Sequence, residues 1–368
     1  MRCPILQFGT SRFLQAHVDL FVSEARKAGQ ECGPIAVVQT TASADSRRRL
    51  DFFDSGQPYQ VHIRGLADSA TIDERIEVSS IARGIDANRD WAALEEAFVN
   101  DARWIVSNTG DRGFELDAGD AAAGEVPKSF PAKLTKLLHA RFRAGRPAPT
   151  IFPCELIVGN GERLKALALG LAGQWGLGAP FARWLERDCL WVNSLVDRIV
   201  SEPLEPAGAV AEPYALWAVA KQPGLVMPCA HPSIVLTDDL QRYERLKLFI
   251  LNVGHTWLAE SWAARGADKA MTVRALLSDP AALADLNDLF DREVLPVFAG
   301  IGLGEEARAY RDSVIERFRN PFLNHFLADI HTNHAAKKAR RFGGLIALKR
   351  EHGLRVSQPR LEAALTAV

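Results

Sequence analysis

Short β-branched apolar runs take turns with helically spaced segments through the first two thirds of the chain. That alternation constrains the fold more than any other feature. Residues 4–8 form a strand candidate, and residues 13–27 have helical spacing. Further strands are expected at residues 35–40, 59–64, Trp104–Ser107, 150–154 and 190–200. Trp91–Asn100, Phe130–Arg143 and residues 162–175 read as helices. Strand and helix in turn mean βαβ units, hence a mainly parallel sheet covered on both faces. Ligands of such a sheet bind beyond the carboxyl ends of its strands.

From about Leu240 the texture changes. Residues 240–264, Val273–Leu277, 281–294, 305–319, 321–330 and 334–349 all favour helix, with no strand among them. The division this predicts is an α/β nucleotide-binding domain at 1–238 and an all-α domain at 239–368. Gly/Pro-rich stretches at 202–213 and 222–232 precede the boundary, and the small-residue run 118–124 reads as a surface loop.

Lys plus Arg is 44 and Asp plus Glu is 45, a formal charge of −1. This gives no bulk attraction to nucleic acid or to an anionic membrane. No apolar run reaches the about 18 residues of a membrane span. The start, MRCPILQFGTSRF, has no secretory pattern. Five scattered cysteines without a C-x-x-C pair argue against a disulfide framework and a structural zinc site. The expectation is a cytoplasmic protein acting on a small molecule.

The first strand candidate runs into Gly9-Thr10-Ser11-Arg12-Phe13 and then a helix. A helix N-terminus at this place offers unpaired N–H groups to a pyrophosphate. Of the full G-x-G-x-x-G pattern only Gly9 fits, so a capped helix is an equal reading on spacing alone. After the second strand come Gln39-Thr40-Thr41, with no acid until Asp45. Arg47, Arg48 and Arg49 either meet a 2′-phosphate, favouring NADP, or form a solvated helix face.

The sharpest local pattern is Lys247-x-x-x-x-Asn252-x-x-His255. On an α-helix, Asn252 falls about 140° and His255 about 80° from Lys247. The surrounding helix is apolar all round and so largely buried. Three polar groups there are costly unless they meet a cleft or one another. The alternative is a buried Asn bonding a carbonyl and a His capping a neighbour. His331 and His334 stand i, i+3, but without further ligand types they read as surface or cleft residues rather than a metal site.

With these residues in view, the chain resembles the mannitol dehydrogenase family of long-chain polyol dehydrogenases. It is most similar to the hexuronate branch, the tagaturonate and fructuronate reductases. K-x-x-x-x-N-x-x-H is that family's catalytic signature. Gln7-Phe8-Gly9 through Ala16 resembles its nucleotide turn, and Val37 through Thr41 its second-strand segment. Ser107-Asn108-Thr109 is similar to its cofactor-lining loop, and Pro153 through Ile157 with Asn160-Gly161 to a later segment. Asn193 through Ile199 resembles N-x-x-V-D-R-I, and Arg317-Phe318-Arg319-Asn320-Pro321 with His325 resembles R-F-x-N-P-x-x-x-H. Departures are Ser11 at the second glycine and Gln15 at a family arginine. Leu156 stands where polyol-oxidising members carry Asn, as in the uronate branch. The chain is short for that branch and nearer the mannitol-1-phosphate dehydrogenases in length.

The resemblance implies a Rossmann-like sheet domain, a helical catalytic domain and hydride exchange with NAD (or NADP), without metal. Lys247 is then the general acid/base, Asn252 a donor to the developing alkoxide and His255 an orienting group. Lysine ordinarily titrates near about 10.4, so the site must lower it by desolvation. Gly9, Thr10, Ser11, Arg12, Phe13, Gln39, Thr40, Ser107, Asn108, Thr109 and Asn160 are the implied cofactor contacts. A hexuronate carboxylate needs cations, for which Arg198, Lys337, Lys338, Arg340 and Arg341 are candidates, with His325 beside the substrate. The implied reaction interconverts a keto-sugar acid and its aldonate. The alternatives are a polyol or polyol-phosphate dehydrogenase, and a catalytically inactive NAD(H)-binding protein.

Overall fold

A computed structural model describes residues 2–110, 112–121 and 125–366. The described residues divide into two compact units. One falls within Met1–Ile63, Glu74–Ala211 and Ala215–Leu240, the other within Arg64–Asp73, Glu212–Tyr214 and Gln241–Val368. Two short segments that the sequence division assigns to the first domain thus cluster with the helices. Part of the expected loop at 118–124, residues 122–124, lies outside the described residues.

In chain order the strands are β1 Ile5–Phe8, β2 Ile35–Gln39, β3 Tyr59–Ala67, β4 Ala70–Val78, β5 Ile81–Asp86, β6 Trp104–Ser107, β7 Thr150–Pro153 and β8 Leu190–Trp191. They continue with β9 Ser194–Asp197, β10 Val200–Pro203, β11 Gly208–Ala211, β12 Leu216–Ala220 and β13 Ile234–Thr237. Six make a parallel sheet in the order β5-β2-β1-β6-β7-β8. β1, β2 and β6 are buried along their whole length, as a sheet covered on both faces requires. Strand order reverses between β1 and β6, so the loops leaving those two strands flank the switch point. Those loops carry Gly9 to Ser11 and Asn108 to Thr109. Phe8 packs against Phe98 and Phe130, with ring centroids 6.4 and 5.2 Å apart.

Several elements depart from the sequence expectation. The helix of residues 13–27 is two, Arg12–Gln15 and Val18–Lys27, broken at His17 (φ −131°, ψ −96°). β4 and β5 were not anticipated, because β4 is rich in charge and mostly exposed and so lacks an apolar alternation. The run 190–200 divides: β8 joins the parallel sheet, β9 pairs antiparallel with β12, and β10 pairs with β11. Small sheets β10-β11-β3-β4 and β13-β12-β9 complete the strands.

The second unit is built on helices. Leu240 to Ala264 is one continuous helix with a π-turn at Lys247–Leu251. Further π-turns lie at Phe290–Val294 and Ala339–Gly343. Residues 321–330, expected as helix, are helical only from Leu327. Pro321 biases Asn320 away from the helical region, and Phe326 instead makes an isolated bridge with Thr272. Asn320 Nδ2 donates to the Arg64 carbonyl at 3.0 Å, and its Oδ1 accepts from Phe322 N at 2.9 Å. Among the described residues, no helix is long and apolar enough to cross a membrane.

Beneath the first loop lies a buried acid. Asp19 is 0% exposed. Its Oδ2 meets Tyr59 Oη at 3.1 Å and Gln7 Nε2 at 3.3 Å, while Oδ1 has no partner among the described residues. Among the described residues no cation faces it, and desolvation pushes its pKa up to about 8. The folded chain therefore holds a proton that the unfolded chain releases near about 4. Stability from this group is full below about pH 4 and falls by about 1.4 kcal/mol per unit toward pH 8. Asp19→Asn should remove that slope. Urea unfolding at pH 5 and pH 8 checks it: the variant gains on the wild type as pH rises, and equal slopes would show that Asp19 ionises freely.

Candidate active site

The two loops at the switch point are tied to each other. Ser11 Oγ caps the short helix by accepting from Leu14 N at 3.3 Å and donates to Asn108 Oδ1 at 3.2 Å. Asn108 Nδ2 donates to the Cys154 carbonyl at 2.7 Å. Gly9 has φ +119°, and a Cβ there would lie 2.5 Å from the Asn108 carbonyl oxygen. A glycine is therefore required where backbone meets backbone. Thr10 is buried, and its carbonyl accepts from Gln15 Nε2 and Arg49 Nε, both at 3.1 Å. Arg12 is exposed and Phe13 stacks on His17 with centroids 4.8 Å apart. This tight, glycine-dependent turn at a switch point fits a dinucleotide.

Glu155 locks the second loop from below. Its carboxylate accepts from Ser107 Oγ (2.9 Å), Thr109 N (3.0 Å) and Thr109 Oγ1 (2.9 Å). Burial pushes its pKa up, against those hydrogen bonds. The sequence motif contained Glu155, yet nothing in its spacing announced this role. Asn160, expected against the cofactor, is instead 1% exposed and fully engaged. Its Nδ2 lies within 3.1 Å of the Pro153, Glu155 and Ser194 carbonyls, and its Oδ1 accepts from Gly161 N and Ser194 N. Gln39 is likewise buried, with Nε2 on the Thr41 and Ser43 carbonyls. Gln39, Ser107 and Asn160 shape the rim. Thr40, Asn108 and Thr109 stand closer to solvent.

On the long helix of the second unit, the π-turn changes the phase of the three polar residues. Asn252 N–H donates to the Lys247 carbonyl, an i→i+5 bond. Asn252 thus takes the place an i+4 residue would hold, about 40° from Lys247 rather than about 140°. His255 follows three residues on, about 20° to the other side. The trio that an α-helix would spread over a wide arc becomes a single stripe. The Asn252 side-chain amide makes no hydrogen bond among the described residues. Lys247 is half-buried.

His255 is 7% exposed, and its Nε2 has no partner among the described residues. Its ring lies 4.4 Å from Phe318 and 4.7 Å from His325. Burial, and then the neighbouring His325 and the positive groups Arg341, Arg317 and Lys337, hold its pKa well below the usual histidine range. His325 is pushed down to about 4, mainly by burial. Both imidazoles are neutral near pH 7. Beside them, Arg317 makes a buried bidentate pair with Glu212 (2.9 and 2.7 Å). Removing either partner would strand a charge.

The remaining sequence candidates scatter. Arg198, expected to face a substrate carboxylate, is buried in the first unit and donates to the Ala16 carbonyl at 2.7 Å. Arg340 is exposed, whereas Arg341 reaches the site helix: Nη1 donates to Thr256 Oγ1 at 2.7 Å and the Asn252 carbonyl at 3.3 Å. The two arginines are adjacent on the π-turn Ala339–Gly343, and successive side chains of a helix point about 100° apart, so one meets solvent and the other the site helix. Lys337 Nζ donates to the Ile330 carbonyl at 2.7 Å. His331 stacks on His334, whose Nε2 meets Glu260 at 2.6 Å with Lys338 beside it. A cavity of about 1050 Å³ in the second unit is lined by Asp68, Tyr214, Arg274, Asp312 and Glu316, and contains none of the Lys247 stripe.

The mannitol dehydrogenase Rossmann domain matches residues 3–226, and the mannitol dehydrogenase C-terminal domain matches residues 239–365. The chain belongs to the mannitol dehydrogenase family. Within it, altronate oxidoreductase of Bacillus subtilis (strain 168) is 33% identical over 358 residues, covering 90% of this chain and 72% of that one. Altronate oxidoreductase of Klebsiella pneumoniae subsp. pneumoniae is 32% identical over 391 residues, covering 99% and 78%. Among solved structures, a D-sorbitol dehydrogenase in substrate-free form has a TM-score of 0.79 at 20% identity, covering 96% of this chain and 77% of that one. Pseudomonas fluorescens mannitol 2-dehydrogenase, in a ternary complex with NAD and D-mannitol, has a TM-score of 0.74 at 18% identity, covering 100% and 85%. Those two likenesses carry the fold. As a member of the mannitol dehydrogenase family, the chain is an oxidoreductase.

Gly254 lets this family helix approach its neighbours. A Cβ there would lie 2.8 Å from Phe290 and 2.9 Å from Phe318, the ring beside His255. Gly254→Ala should destabilise by about 1–3 kcal/mol through overpacking, despite about 1 kcal/mol of better helix propensity. Thermal unfolding checks it, and a variant as stable as the wild type would show the contacts to be slack.

Proposed function

We propose that this enzyme interconverts a keto-sugar acid, a hexuronate such as tagaturonate or fructuronate, and its aldonate. The observation that carries the reading is the single stripe of Lys247, Asn252 and His255, created by the π-turn, with the His255 Nε2 unpartnered among the described residues. NAD, when bound, supplies or takes up the hydride. The relatives named altronate oxidoreductase favour a sugar acid over a neutral polyol.

The roles follow from the groups. In reduction, negative charge grows on the substrate oxygen, and the Lys247 ammonium gives it a proton. In oxidation the neutral amine takes that proton back. The Asn252 amide donates a hydrogen bond to the same oxygen. His255, held neutral by burial, orients a neighbouring hydroxyl and takes no part in proton exchange.

On the nucleotide side, Gly9, Thr10 and Ser11 would hold the pyrophosphate, with Asn108 and Thr109 on the opposite rim. The arginines after β2 are already engaged. Arg47 pairs with Asp86 at 2.8 Å, Arg48 with Asp45 at 2.5 Å, and Arg49 bonds the Thr10 carbonyl. That arrangement leaves no ready cradle for a 2′-phosphate and favours NAD over NADP.

The test is nicotinamide absorbance with a panel of hexuronates, ketoses and polyols and both cofactors. A hexuronate with NADH should be turned over fastest, and a faster ketose or polyol would defeat the substrate reading. Lys247→Ala should lower kcat by about 10²–10⁴-fold while NADH affinity changes little. An equally active variant would show that the proton comes from elsewhere.

A further inference from the structure

Most buried or half-buried cations of the C-terminal helices have acids beside them. Lys338 pairs with Glu260 at 3.3 Å, Lys349 with Glu362 at 3.3 Å, and Arg360 with Asp285, Asp288 and Glu293 within 3.1 Å. Lys337 and Arg341 break this pattern. They stand i, i+4 and half-buried, yet neither has a carboxylate within ion-pair distance among the described residues.

Their protein contacts are neutral oxygens: the Ile330 carbonyl for Lys337, and the Asn252 carbonyl and Thr256 hydroxyl for Arg341. Among the described residues only Nη1 of Arg341 is used. Its Nε and Nη2, the edge that grips a carboxylate bidentately, make no hydrogen bond among the described residues. Two like charges one turn apart repel, and burying them without a counter-ion is costly. Burial lowers both pKa values, Arg341 to about 10, with Arg341 adding to the effect on Lys337. Arg341 also holds the carbonyl of Asn252, on the turn that creates the Lys247 stripe.

We propose that Lys337 and Arg341 form an anion subsite that takes the carboxylate of the sugar-acid substrate. The proposal rests on the sugar-acid reading of the site. An anion between these two groups offsets their repulsion and replaces the lost hydration. The charge that costs stability in the free protein thus becomes selectivity for charged over neutral sugars. The Arg341 fork adds orientation, since a bidentate grip fixes the carboxylate plane.

Steady-state kinetics with a hexuronate, the matching neutral ketose and a polyol phosphate test it. Lys337→Gln, which leaves the contact to the Asn252 carbonyl intact, should raise KM for the hexuronate about ten- to hundredfold, with kcat and the KM for NADH nearly unchanged. The kcat/KM for the neutral ketose should stay within about twofold. Arg341→Gln should raise the hexuronate KM at least as much and, by releasing the Asn252 carbonyl, also lower kcat on both substrates, and Arg341→Lys should recover part of the loss. Equal losses on charged and neutral substrates would overturn the subsite, as would an unchanged hexuronate KM. A loss confined to the phosphate ester would overturn the choice of carboxylate. Calorimetry with the aldonate needs no turnover and separates this proposal from the reaction itself. Binding about tenfold weaker in Arg341→Gln supports the subsite even if no hexuronate is reduced, and equal binding refutes it.

Discussion

One backbone hydrogen bond organises the candidate site: the Asn252 N–H reaching five residues back to the Lys247 carbonyl. Without the extra residue the helix would still form, because its apolar residues face neighbours on every side. The polar trio would then point along diverging directions. With it, three side chains of different chemistry share one line. A one-residue irregularity in a regular helix is inexpensive compared with building the same convergence from three separate elements.

The two units solve different problems of support. In the first, buried side chains hold loops from beneath. Glu155 pins Ser107 and Thr109, Asn160 staples three carbonyls, and Gln39 steadies the start of the next helix. In the second, the Lys247 helix is packed by aromatic rings. Phe290 and Phe318 press on Gly254, and the neighbouring chain bends sharply at Asn320-Pro321. Glu155 and Asn160 find their partners inside the protein, which makes the loops they hold rigid.

Much of this was legible in the residues. The βαβ alternation led to the parallel sheet because its strands are buried on both faces and so read as unbroken apolar runs. Charged β4 left no such trace. The phase of the Lys247 stripe was hidden because spacing was read at the regular helical period, and no residue type announces a π-turn. Arg198 and Arg340 drew attention as cations near motifs. Charge alone does not say whether a guanidinium meets a carbonyl, as Arg198 does, or solvent, as Arg340 does. Asn160 belonged to a recognisable motif, but a motif marks position without distinguishing contact from support.

The proton on Asp19 has a consequence beyond the loop above it. Formal counting gives the chain a charge of −1 at pH 7. With Asp19 neutral below about pH 8, that count rises to zero in the native protein. Copies of the folded chain then feel almost no long-range electrostatic repulsion near neutrality, so encounters between them are governed by the local mosaic of surface charge.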